Sequence, residues 1–261
     1  MATTDEPDYF RAFPTIAMSR DDAGVLLVRL HGELDDQPVG FSGQHHEDWC
    51  GAFGAISDDR DNRAVVITGT GDSFIAQMAY GGAMTSPQEW DAAVAFDGRR
   101  MLRRLLDIEV PVIAAVNGPA TIHAELAVMS DITLASTTAT FQDAPHVLFG
   151  VVPGDGVHIV WTELLGINRG RYFLLTGQTL DAEEALRLGV VNEVLPPEQL
   201  LDRAMEHARR LAALDPLVAR YTRVVLTHRY KRLIDESVGY GLALEGLGLL
   251  GAASAGPVPG S

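Results

Sequence analysis

Two uninterrupted apolar runs set the tightest limit on how this chain can fold. Residues 63–68 carry A-V-V-I-T and residues 111–116 read P-V-I-A-A-V. Short apolar runs bounded by turn residues read as buried strands. The turns are present: Gly69-Thr70-Gly71-Asp72 closes the first run and Asn117-Gly118-Pro119 the second. Ahead of them, residues 15–19 and 25–30 are β-prone. The polar stretch Arg20-Asp21-Asp22-Ala23-Gly24 joins these two as a hairpin with Gly24 in the turn. Residues 131–135 and 139–141 read as further strands.

Helices are announced by their caps. Residues 32–43 read as a loop, followed by a helix over about 42–56. Ser86-Pro87-Gln88-Glu89 places a capping Ser, a first-turn Pro and a Glu three residues after the cap, and that helix is expected to reach about residue 106. Short helices are expected over 124–129, 155–165 and 168–175. Asp181 with Glu184 forms a capping box for another. Residues 197–213 and 216–250 read as helical throughout. The chain is thus α/β, with strands and helices alternating first and helices alone afterwards. Three segments are expected: a core over 1–195, a helical region over 196–251 and a disordered tail over 252–261. Residues 1–13 are expected to form a poorly ordered arm.

Charge excludes several partners. Asp plus Glu number 35 against 20 Lys plus Arg, a net charge of −15. A nucleic-acid backbone or an anionic membrane needs a basic face, so neither is an expected partner. The acidic N-terminus carries no apolar core of a signal peptide, and the expected location is the cytoplasm. The single cysteine, Cys50, permits neither an internal disulfide nor a cysteine-based zinc site. G-x-G-x-x-G after a strand, G-x-x-x-x-G-K and G-x-S-x-G are all missing from the sequence, so no nucleotide cradle or nucleophile elbow is expected.

Four stretches in order resemble the crotonase (enoyl-CoA hydratase/isomerase) superfamily: V-V-I-T-G-T-G-D-S-F (65–74), P-V-I-A-A-V-N-G with A-E-L-A-V-M-S-D (111–131), A-T-F-Q-D-A-P-H-V-L-F-G-V-V-P-G-D-G (139–156) and L-T-G-Q-T-L-D-A-E-E-A-L-R-L-G-V-V-N-E-V (175–194). The likeness implies a crotonase-like spiral of ββα units and a C-terminal helical trimerisation region, in a homotrimer or dimer of trimers. It also implies a pair of backbone N–H groups that stabilise an enolate.

The chain departs from the acyl-CoA hydratase pattern at specific positions. Hydratases carry a Gly-rich turn after V-N-G, where this sequence reads P-A-T-I-H-A-E with His123. Of the hydratase acid pair, Glu125 is present and His146 stands at the second position. This altered set is similar to the branch that contains 6-oxocamphor hydrolase and related β-diketone hydrolases, which cleave a C–C bond between two carbonyls with water. The resemblance implies catalytic roles for His123, His146, Asp155 and Glu245. It places His46, Phe41, Ala76 and Gln77 on the substrate, with Phe41 standing where that branch has a tryptophan.

The residue chemistry agrees. Hydrolysing a 1,3-diketone requires an activated water, a polarised carbonyl and a stabilised enolate. A histidine near neutrality suits the first task when a carboxylate orients it, so His146 with Asp155 is expected to activate water and His123 to polarise a carbonyl. The bland readings are capping for Asp155, a satisfied core histidine for His123 and an intersubunit ion pair for Glu245. Glu125 is expected to be structural. His45-His46-Glu47-Asp48 are consecutive and fan out around a helix, so no metal is expected, and no cofactor. The expected function is hydrolysis of a cyclic or bicyclic 1,3-diketone to a keto acid. The alternatives are an acyl-CoA hydratase, isomerase or hydrolase, and a non-catalytic binding protein.

Overall fold

The computed structural model describes residues 6–32, 34, 36–79 and 84–255, with side chains through 252. Strands β1 (Ile16–Arg20) and β2 (Val25–Leu30) form the expected hairpin, and Gly24 at its turn has φ 78°. Then come β3 (Gly40–Phe41), α1 (Gly43–Asp58), β4 (Ala64–Thr68), β5 (Gln77–Met78), α2 (Pro87–Trp90) and α3 (Phe96–Asp107). A π-helical turn, Asp91–Ala95, lies between α2 and α3. The middle of the chain supplies β6 (Val112–Val116), α4 (Glu125–Val128), β7 (Ile132–Ser136) and β8 (Thr140–Phe141). The remainder is α5 (Val157–Leu165), α6 (Ile167–Thr176), β9 (Leu180–Asp181), α7 (Ala182–Arg187), β10 (Glu193–Leu195), α8 (Pro197–Ala212) and α9 (Pro216–Ala255).

Six strands make one sheet in the order β1-β2-β4-β6-β7-β10, parallel except for the β1–β2 hairpin. Both of its faces are covered, which is why β4 and β6 are apolar without alternation. Val65, Ile67, Val112 and Ala114 face the larger core, where Trp49, Phe53 and Leu102 pack. Val25, Ala64, Val66, Ile113 and Ala115 face α8. That helix presents Leu200, Ala204, Ala208 and Ala212 at spacing i, i+4, one small-residue stripe lying against the sheet. The expected boundary at 195/196 therefore runs through a shared core rather than between independent parts.

The termini correct two further expectations. Residues 8–11 form a 3₁₀ turn in which Phe10 is buried, and Tyr9 donates to Asp59 at 2.9 Å. The arm is thus packed from its first aromatic residue onward, and residues 1–5 lie outside the described residues. Helix α9 continues through Ala255, beyond the expected start of the tail at 252, because residues 252–255 read A-A-S-A and alanine is the strongest helix former. Residues 256–261 lie outside the described residues. No helix among the described residues is long and apolar enough to cross a membrane.

Loops at the carboxyl ends of β4 and β6 interlock. Asn117 Oδ1 accepts from the Gly69 N–H at 3.0 Å, and Asn117 Nδ2 donates to the carbonyls of Gly71 and Ser73 at 3.0 and 2.9 Å. Gly118 passes so close that a Cβ there would lie 1.8 Å from the Asp72 carbonyl oxygen. The N-G pair is thus required by a crossing of two backbones, and it aims the chain toward residues 120–125. Beyond it, Ile75, Ala120 and Phe141 bridge side by side into a second, smaller layer.

Arg223 ties α9 to this body. Its side chain is 2% exposed and donates to Asp131 at 2.6 Å and to the carbonyls of Leu106 and Ile108. Asp131 keeps contact with solvent, so the buried member is Arg223, and losing its charged hydrogen bonds costs about 1.5–3 kcal/mol. Arg223→Ala is expected to lower the unfolding free energy by that order in urea titrations; a loss under ~1 kcal/mol would contradict this account.

Candidate active site

A cavity of about 210 Å³ lies between α1, the π turn, the 120–125 turn, the 145–155 loop and α9. Its lining combines apolar groups (Phe41, Met78, Met84, Trp90, Val94, Pro145, Val151, Leu249) with His46, His123, His146, Asp155 and Glu245. Six of the eight residues expected at the site meet here. Ala76 and Gln77 do not line it; Gln77 is exposed on β5, and its neighbour Met78, itself half-exposed, is the strand residue in the cavity wall.

Each polar side chain is placed by local structure. His123 sits in a turn at φ 46°, the single non-glycine with positive φ among the described residues. That conformation folds its Nδ1 back onto Glu125 Oε1 at 2.5 Å. Glu125, expected to be structural, is fully buried and serves as the direct partner of an active-site imidazole. Asp155 accepts from the Val157 N–H at 3.4 Å at the start of α5, so its capping role is real but weak. The carboxylate's other oxygen lies 3.6 Å from His146 Nε2 and 3.9 Å from His123 Nδ1.

His146 is oriented by a residue that the sequence reading missed. Asp143 Oδ1 lies 2.6 Å from His146 Nδ1, and both side chains are buried. The signal was D-A-P-H: an acid three residues before the histidine, with a proline to bend the chain between them. Glu245 Oε1, from α9, stands 3.6 Å from His146 Nε2. The imidazole therefore has Asp143 on one nitrogen and Asp155 and Glu245 facing the other.

Electrostatics follow from this placement. Burial draws the His146 pKa down, but Asp155, Asp143 and Glu245 outweigh it and push it up to about 12. His146 is thus an imidazolium at neutral pH, which corrects the expectation that it serves as the base. For His123, burial is likewise overcome by Glu125 and Asp155, and its pKa is raised. Burial pushes Asp155 upward, but His146 and His123 prevail and hold it below the ordinary carboxylate range. Glu245 is pushed up to about 7 by burial, reinforced by Asp155 and opposed by His146. It is the group poised to exchange a proton near neutrality.

His46 differs from the other two. Burial first, and the charge of His123 second, depress its pKa to about 3, so it is a neutral imidazole. The Ala93 carbonyl in the π turn hydrogen-bonds its ring. Phe41 packs against it edge to face at 4.8 Å between centroids and lies 4.3 Å from the His123 ring. The H-H-E-D run disperses as its spacing implied. The Ser42 N–H donates to His45 Nδ1 at 3.2 Å, and Asp48 accepts from the Thr15 N–H and hydroxyl at 3.0 and 2.8 Å. Two triads, His123–Glu125–Asp155 and His146–Asp155–Glu245, are compact enough to surround a cation. Both of their imidazoles are proton donors toward carboxylates, so a cation would have to displace those protons first.

Residues 22–238 match the family model described as enoyl-CoA hydratase/isomerase. The chain is an enzyme of that family, the crotonase superfamily. It is 32% identical over 194 residues to a short-chain-enoyl-CoA hydratase of Clostridium acetobutylicum, covering 72% of each chain. With a carnitinyl-CoA dehydratase of Salmonella arizonae it shares 37% identity over 190 residues, again 72% of each. Among solved structures it is similar to a β-diketone hydrolase from the cyanobacterium Anabaena bound to (S)-3-oxocyclohexyl acetic acid. That likeness has 48% identity and a TM-score of 0.92, covering 95% of this chain and 99% of the other.

The buried imidazolium has a measurable consequence. Folded His146 keeps its proton between the ordinary value of 6.5 and about 12, a window in which the unfolded chain has released it. Its stabilisation is complete below pH 6.5 and fades as pH rises through that window. Glu245, raised from 4.5 to about 7, acts in the same direction over its own range. The Tm is expected to fall from pH 7 to pH 10, with up to about 1.4 kcal/mol lost per pH unit for one retained proton. His146→Gln should flatten the slope; an unchanged slope would place the proton elsewhere.

Proposed function

We propose that this enzyme hydrolyses a carbon–carbon bond of a cyclic or bicyclic 1,3-diketone to a keto acid. The observation that carries the reading is the polar end of the cavity: His146 flanked by Asp155 and Glu245, with His123 beside them and apolar walls around. The likeness to the Anabaena β-diketone hydrolase at 48% identity supports it. An apolar ring fits against Phe41, Trp90 and Val94, while its two carbonyls meet the imidazoles.

The roles follow from the charges. The attacking water is assigned a place on the cavity side of this cluster, beside the Glu245 carboxylate that stands 3.6 Å from His146 Nε2. Its oxygen attacks one carbonyl carbon and its proton passes to Glu245, whose pKa of about 7 matches neutral operation. The protonated His146 and the ring N–H of His123 face the oxyanion of the tetrahedral adduct and the enolate oxygen that succeeds it. Collapse of the adduct breaks the C–C bond to give a carboxylic acid and an enolate. The enolate carbon takes the proton from Glu245, so one water is consumed and no other reagent is needed.

Acyl-CoA chemistry is the second reading, favoured by the family model and the curated relatives. Hydratases work with two acids, whereas here the second acid position is an imidazolium. Incubating the enzyme separately with a bicyclic 1,3-diketone and with crotonyl-CoA decides between them; loss of the thioester alone would overturn the proposal.

Glu245→Gln is expected to lower kcat by roughly 10² to 10⁴, the range for losing general-base assistance. In the wild type, kcat/KM should rise with pH through about 7 as Glu245 loses its proton; in the variant that limb should vanish. Phe41→Trp adds a donor and volume to the wall beside His46 and His123. It should change KM or the product enantiomer ratio while leaving folding intact, and unchanged values of both would remove Phe41 from the substrate surface.

We also infer a trimer or a dimer of trimers. Leu217, Val218, Tyr221, Val225 and Leu226 are each more than half exposed along α9, an apolar stripe of the kind that marks an interface. Light scattering should give a mass of three or six chains at micromolar concentration; a monomer would contradict it.

A further inference from the structure

We propose that Trp90 is a positioning residue: it grips α9 from the cavity side and thereby sets Glu245 against His146. The proposal uses the role given to Glu245 above, but its geometry stands independently. Trp90 is buried at the end of α2, and its indole Nε1 donates to the Leu242 carbonyl at 3.2 Å. A helix carbonyl has a second lone pair to receive such a donor. One turn on, position 246 is glycine. A Cβ there would lie 2.5 Å from Trp90 Nε1 and 2.6 Å from its Cδ1, so the indole rests directly on helix backbone.

The adjoining face of α9 is held in the same manner. A Cβ on Gly241 would come 2.2 Å from the Gly154 carbonyl oxygen, and one on Gly154 would come 2.2 Å from that of Gly241. Gly154 also donates its N–H to the Glu245 carboxylate. Two backbone-level contacts, at 241 and 246, thus bracket position 245. The π turn that follows Trp90 holds His46 through Ala93. One short segment, residues 90–93, therefore locates groups on two different helices across the cavity.

Among the described residues, the charged groups facing Glu245 are His146 and Asp155. Its own helix sets Gly241, Leu242, Gly248 and Leu249 beside it. Loosening the indole contact changes both surroundings of Glu245 at once, its closeness to His146 and its exclusion from water, and so moves its titration.

The test uses full-length protein labelled with ¹³C at the glutamate side-chain carboxyls, with Glu245→Gln to assign the resonance. In the wild type, Glu245 should titrate near about 7. Trp90→Phe, which keeps most of the ring area but has no donor, should shift that midpoint by roughly one unit or more. Gly246→Ala keeps the indole but drives a methyl into it, and should shift the midpoint as well if the first variant folds poorly. Glu193, held by Arg203 far from the cavity, should titrate alike in all forms. On a diketone, Trp90→Phe should lose about tenfold or more in kcat, and Trp90→Phe/Glu245→Gln should be no slower than Glu245→Gln. Unchanged Glu245 titration in both folded variants would overturn the proposal. A wild type that consumes no diketone would instead overturn the proposed reaction, and the titration would still decide the role of Trp90.

Discussion

Two imidazoles buried within reach of four carboxylates form the constraint to which the rest of this structure answers. An isolated charge inside a protein is costly, and pairing is what makes it tolerable. Asp143, Glu125, Asp155 and Glu245 come from four different segments, each of which must arrive within about a hydrogen bond of a histidine. The interlocked loops at Asn117 and Gly118 deliver the 120–125 turn, α5 begins at Asp155, and α9 is drawn in by Arg223 at one end and by glycine contacts at the other. A fold that failed at any of these points would leave an unpaired charge in a low-dielectric pocket.

The same network divides labour between groups that look alike in sequence. Three histidines line one cavity, yet His46 is neutral, His146 is a cation, and His123 has its pKa raised by Glu125 and Asp155. The difference lies in their neighbours: His46 has a carbonyl and an aromatic ring, the others have carboxylates. Likewise Asp155 stays ionised beside two imidazoles, while Glu245, buried in an apolar helix, is held near neutrality. Pairs of acids pushed apart in this way are how one pocket supplies both a proton acceptor and fixed charge.

Elements governed by local chemistry were readable from the sequence. The Gly24 hairpin, the Ser86 cap and the Asp181–Glu184 box all appear where the residues placed them. Six of the expected site residues converge, carried by the likeness to a family branch more than by spacing. What escaped depends on long-range or backbone geometry. Glu125 pairs with His123 only because residue 123 adopts a left-handed turn. The role of α8 as a sheet cover shows only once the strands have a second face to hide. The π turn has no compositional marker, and Ala76 and Gln77 lie outside the cavity lining, to which β5 contributes the half-exposed Met78. The reversal of His146 from base to cation arises from Asp155, Asp143 and Glu245 acting together, and of these only Asp143 lies close to it in sequence.

His123 shows what such a site asks of its scaffold. A left-handed backbone conformation costs a side-chain-bearing residue roughly 1–2 kcal/mol, a penalty that glycine escapes. The turn after V-N-G is therefore bent into a shape suited to a residue with no side chain at all, and it carries an imidazole there. Stability and the make-up of the cavity are in direct opposition at this one position: the residue that would relax the turn is the one that would remove the imidazole from the cavity. Selection for a more heat-resistant form of this protein would be pulled toward glycine at 123, and selection for its chemistry would push back.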